Sequence, residues 1–152
     1  MRSPRDAGAT LAQLRLAQQR LVGSSFERPV EAARWLLALQ AQDFAGAKWS
    51  LGLRTPGSTV ADVERALATG EMVRSWPMRG TLHFTAAEDL HWMLALTTPR
   101  LLAGAARRRA SLDLNERTLE RAREVAVRRL SGGKKLTREE LLAELEREKI
   151  ST

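Results

Sequence analysis

The chain has 152 residues, 43% of them apolar, with 25 Lys/Arg against 18 Asp/Glu and no cysteine. Such a composition builds a hydrophobic core and excludes an intrinsically disordered chain, while the missing cysteine excludes disulfides, thiolate metal sites and a cysteine nucleophile. No apolar run approaches the roughly 20 residues of a membrane span, and no apolar stretch follows Arg2 and Arg5 as a signal peptide requires, so a cytoplasmic protein is expected.

A first helix is expected from Thr10 as N-cap through Leu11, Leu14 and Leu21 to a stop at Gly23. A second starts near Pro29, a residue favoured in a first helical turn, and runs through Val30, Ala33, Trp35, Leu36 and Leu39, losing its periodicity after Gln40. Residues 42–58, with Gly46, Gly52, Pro56 and Gly57, read as a loop holding at most one helical turn around Lys48 to Leu51. A third helix, Val60 to Ala68, follows Thr59 or Ser58 as cap and ends at Gly70. Met72-Val73-Arg74-Ser75-Trp76 and Thr81-Leu82-His83-Phe84 then alternate as half-buried strands do, joined by a turn at Pro77-Met78-Arg79-Gly80. Three helices followed by a basic hairpin are the order of a winged helix-turn-helix, with the third helix in the recognition position and Arg79 on the wing.

Beyond the hairpin, Thr85 with Glu88 reads as a capping box opening a helix that Pro99 breaks or restarts. Further helices are expected up to Arg107-Arg108-Arg109, from Glu116 to Leu130, and from a second capping box at Thr137 and Glu140 to about Lys149. The fold class is therefore mainly α: a winged-helix domain with trailing helices over residues 1–110, and the beginning of a second winged unit over 111–152.

Charge is unevenly placed. Residues 1–110 carry 15 Lys/Arg against 9 Asp/Glu and the remainder 10 against 9, so nearly all of the +7 net charge lies in the first part. Most of the cations are arginines, suited to bidentate phosphate contacts, and double-stranded DNA is the expected partner. Arg74 and Arg79 are the first candidates for phosphate contact. Arg107, Arg108 and Arg109 are either a phosphate clamp or positive charge complementing a helix C-terminus. His83 and His91 lack a third ligand at metal spacing and are expected to be structural, and most of the four tryptophans to be core. No metal site is expected, and without a glycine-rich phosphate loop, no nucleotide cofactor.

Gln40-Ala41-Gln42 is the motif that carries chemistry. In a helix, positions i and i+2 point away from one another; in extended backbone they share a side. If the helix ends near Gln40, both carboxamides can converge on one water or sugar. Asp43 beside them is either a carboxylate for glycosidic hydrolysis or a cap on the next turn, and Trp49 could line a pocket.

The runs Leu36-Leu37-Ala38-Leu39-Gln40-Ala41-Gln42-Asp43-Phe44-Ala45-Gly46-Ala47 and Met72-Val73-Arg74-Ser75-Trp76-Pro77-Met78-Arg79-Gly80-Thr81-Leu82-His83-Phe84 resemble the winged-helix family that includes bacterial interstrand-crosslink DNA glycosylases. The resemblance implies tandem winged units followed by a β-rich domain, in proteins more than twice this length, and excision of N7-alkylated guanine through a Gln-apolar-Gln or Gln-apolar-Asp motif. It places Gln40 and Gln42 on the two catalytic positions. With the second unit unfinished and the β-rich domain missing, activity is expected of a longer protein rather than of this chain alone. The other class of function open to the sequence is a non-catalytic winged-helix module, such as a regulator.

Overall fold

The computed structural model describes residues 4–23 and 26–150, with side chains from Thr10 on. The chain divides into two compact units, one up to Arg100 and one from Leu101 on. In the first, α1 (Pro4–Gln18) precedes α2 (Pro29–Leu36), β1 (Leu39–Gln40), α3 (Phe44–Gly52), α4 (Val60–Ala68), β2 (Met72–Met78), β3 (Thr81–Ala86) and most of α5 (Ala87–Gly104), whose last four residues belong to the second. The sheet order is β1-β3-β2, antiparallel throughout. From α2 onward this is the helix–strand–helix–helix–hairpin order of a winged helix, and the mainly α fold class expected from the sequence holds.

Several local expectations are corrected. The first helix starts at Pro4 rather than after a Thr10 cap. The second stops at Leu36, because Leu37 turns to φ 62°, ψ −48° and Ala38 N–H donates to the Leu36 carbonyl at 2.7 Å. That bond closes a γ-turn, a strained conformation for a residue with a Cβ. The expected loop contains a full helix, α3, so the three-helix core consists of α2, α3 and α4, with α1 outside it. Thr85 caps nothing; it is fully buried in β3, and α5 leaves the strand directly and continues through Pro99.

The core of this unit is built from small residues: Ala32, Ala33, Ala41, Ala47 and Ala66 pack with Leu51, Val63, Met72 and Phe84. None of the four tryptophans belongs to it, each being between 46% and 68% exposed. Trp35 instead lies under the Arg20 guanidinium, 4.1 Å from its ring centre, and Trp92 donates to Asp89 at 3.0 Å. Small alanine side chains fill much of this core, and the indole rings lie outside it.

The second unit holds α6 (Ala106–Ser111), α7 (Glu116–Leu130) and α8 (Arg138–Arg147), the last opened by the expected Thr137–Glu140 capping box. Gly132 and Gly133, both at positive φ, turn the chain between α7 and α8. Ion pairs of Arg129 with Glu144 and Arg128 with Glu148, at 2.7 and 2.6 Å, tie these two helices together. Among the described residues no helix is long and apolar enough to cross a membrane, and no group of three or more His, Asp or Glu could hold a metal ion.

Candidate active site

The γ-turn at Leu37 aims the chain from the end of α2 along the edge of the sheet, where β1 pairs with β3 in the register Leu39–Phe84 and Gln40–His83. The helix has therefore ended before Gln40, the condition under which residues two apart share a side. Burial follows the same alternation: Gln40 and Gln42 are exposed, and Ala41 between them is fully buried in the core. Its methyl group pegs the motif while the two amides stay in solvent.

The next rung of the ladder is only half made. Ala41 N–H donates to the Leu82 carbonyl at 2.7 Å. In a regular antiparallel pair Leu82 N–H would return a bond to the Ala41 carbonyl. Instead Leu82 N–H donates to Gln42 Oε1 at 2.7 Å, and the Ala41 carbonyl accepts from Arg74 Nε at 3.0 Å. A second Arg74 nitrogen donates to the Gln42 carbonyl at 3.2 Å. Because a backbone N–H can only donate, this contact fixes the orientation of the Gln42 amide: oxygen toward the strand, with one lone pair still open, and NH2 directed away.

Gln40 stands opposite His83 in the ladder and Ser75 lies beyond it on β2, so the three share one row of the sheet. His83 is buried, with Nδ1 2.8 Å from the Thr81 carbonyl. Since a carbonyl only accepts, Nδ1 is the donor in this contact.

Asp43 caps α3, its carboxylate accepting from Ala45 N–H at 3.1 Å. Gly46 leaves the space for it: a Cβ there would lie 2.4 Å from Asp43 Oδ2. Trp49 sits on α3 with its ring 68% exposed. Arg79 and Gly80 form the two-residue hairpin turn, both at positive φ (51° and 71°), as a type I′ turn needs. Arg79 is exposed three residues before Leu82, roughly 10 Å along the strand at about 3.3 Å per residue. Gln40, Gln42, Asp43 and Arg74 are thus brought together, with Arg79 at the tip of the same hairpin. Arg107, Arg108 and Arg109 lie on α6, in the other compact unit.

α4, the helix in the recognition position, is not basic. It carries Asp62 and Glu64 against Arg65; Arg65 pairs with Asp62, and Glu64 with Lys48 at 2.7 Å. Thr59 N–H and Oγ1 both donate to Asp62, which holds its carboxyl below the usual range, helped by Arg65. A cleft of about 450 Å³ lies beside α4, lined by Arg28, Pro56, Asp62, Arg65 and Glu71 among others, and includes neither glutamine. Gln40 and Gln42 are both exposed.

Sequence reasoning missed the Arg74 contacts, whose acceptors lie 32 and 33 residues away, and the two-residue strand β1. The Asp43–Gly46 spacing was the one readable signal that a helix starts at Phe44. The sequence model of a family described as DNA glycosylase AlkZ-like matches residues 33–152, a stretch that includes both glutamines and the hairpin. No curated protein and no solved structure matches the chain.

Proposed function

Since the chain belongs to the DNA glycosylase AlkZ-like family, we propose that it binds double-stranded DNA and carries the reacting pair, Gln40 and Gln42, of a glycosylase that hydrolyses the N-glycosidic bond of N7-alkylated guanine. The observation that carries this is the orientation of Gln42, whose Oε1 is held by Leu82 N–H with one lone pair left for a water proton. An N7-alkylated guanine is cationic and leaves without a general acid. The water oxygen bonds to the anomeric carbon, the bond to the base breaks with its electron pair moving onto the purine, and the water's second proton passes to solvent. Gln42 holds that water and Gln40 orients it or the sugar, stabilising oxocarbenium character without a formal base. A neutral pair suits an activated substrate and leaves undamaged purines intact.

Asp43 is spent on its helix cap, so it is not the hydrolytic carboxylate in this reading. The character of α4 speaks against a groove-reading regulator: a recognition helix with two carboxylates and one paired arginine is poorly suited to the major groove. DNA is instead gripped at the hairpin, where Arg79 projects.

The test is incubation of the protein, and of a version extended to the full gene length that serves as the parent, with a duplex carrying one N7-methylguanine, followed by strand scission at abasic sites. Base release is expected from the parent, and Gln42→Ala should slow it by about 10²-fold, the scale of losing one preorganised polar group. Equal rates for the two proteins, or no release by the parent, would defeat the glycosylase assignment.

A further inference from the structure

We propose that Arg74 is a positioning residue that holds Gln42 in its reactive orientation, rather than a phosphate contact. The inference rests on the catalytic reading of Gln40 and Gln42. Arg74 projects from β2 opposite Phe84, crosses β3 and reaches the carbonyls of Ala41 and Gln42 at 3.0 and 3.2 Å. Its guanidinium stacks against the Phe44 ring, 5.1 Å from the ring centre, and Phe44 in turn meets Phe84 edge-on at 5.8 Å. Arg74 is exposed, but its guanidinium is already engaged by two carbonyls and a ring, which limits its freedom to follow a DNA backbone.

The effect on Gln42 comes through the half-made rung. Arg74 tethers the Ala41 and Gln42 carbonyls, and with the chain held so, Leu82 N–H bonds Gln42 Oε1 rather than the Ala41 carbonyl. Without the guanidinium the tether is lost, Leu82 N–H turns to the Ala41 carbonyl, and the Gln42 side chain is released into solvent, where its rotamers average. The planar fork is required, because two carbonyls on successive residues must be reached from two nitrogens at a fixed spacing. A lysine supplies one point donor and reaches one of them.

The experiment compares the parent with Arg74→Lys and Arg74→Ala. Its readouts are single-turnover base release at saturating protein, duplex affinity across a salt series, and the Gln42 side-chain amide resonances in 15N-labelled protein. A positioning role lowers the saturating rate by about 10²-fold, the scale of a misplacement near 1 Å. It leaves affinity and salt slope unchanged and moves the Gln42 amide signals to free-amide positions. Added guanidinium ion should partly restore Arg74→Ala and leave Gln42→Ala unrestored. A phosphate role does the reverse, weakening affinity and lowering the salt slope by about 1 with the saturating rate intact; that result overturns the proposal. If Arg74→Ala fails to fold, Arg74→Lys carries the same comparison. The two readings fail separately. Unchanged release by Gln42→Ala removes the catalytic assignment, whereas unmoved Gln42 resonances in Arg74→Lys remove the clamp, whatever the activity.

Discussion

A buried methyl group explains why two solvent-facing amides are joined by an apolar residue. Ala41 is fully buried while its neighbours are exposed, so the core itself sets the height at which Gln40 and Gln42 stand above the sheet. This much was legible in the sequence, because i, i+2 spacing acquires meaning as soon as a helix ends. The contacts of Arg74 were not legible, because their acceptors lie 33 and 32 residues away in sequence. Asp43 was readable both ways, and the structure shows its carboxylate on the Ala45 amide. Asp43→Asn keeps an acceptor at the cap and should leave both stability and base release near parental. Asp43→Ala should cost about 1 kcal/mol in denaturant unfolding, the usual cost of a lost N-cap, with a far smaller effect on rate than Gln42→Ala. A collapse of activity in Asp43→Asn would instead make this carboxylate the base.

At the scale of elements, capped helices and the long hairpin could be read in advance, and irregular pieces could not. α4 announces itself by Thr59 and Asp62, α8 by Thr137 and Glu140, each pair bonding reciprocally. β1 is two residues long, too short for any alternation to show, and α3 is interrupted by Gly46 and closed by Gly52, which read as turn residues. Pro99 failed as a stop signal because α5 runs on past it to Gly104. The hairpin turn supports a prediction of its own. Arg79 sits at φ 51°, a conformation Asn adopts readily, so Arg79→Asn removes the charge and preserves the turn. Duplex binding followed by anisotropy over a salt series should lose about one unit of slope while the melting temperature holds. An unchanged slope would mean that the wing does not touch phosphate.

For the whole molecule, acid stability follows from the carboxylates. Asp62 is held below its usual pKa by bonds from Thr59, Glu120 by Arg123, and Glu140 by Thr137. A group whose folded-state pKa is depressed adds stability above its unfolded pKa, near 4 for these side chains, and that contribution disappears as pH falls through the lower folded value. Melting temperature should therefore be flat from neutrality to about pH 5 and fall below about pH 4. Asp62→Asn should flatten part of that fall; a profile identical to the parent's would deny the capping box any share in it. The overall class, mainly helical with a small sheet, was within reach of periodicity and turn chemistry, whereas the alanine-rich core and its exclusion of indole rings depend on packing that no local pattern encodes. The half-made rung also marks where the sheet ends. An amide and a carbonyl that lose their ladder partners are costly to leave without new ones. Here Gln42 takes the Leu82 amide and Arg74 the Ala41 carbonyl, so the chain leaves β1 for α3 with both groups bonded. Side chains finish at this point what the backbone ladder begins.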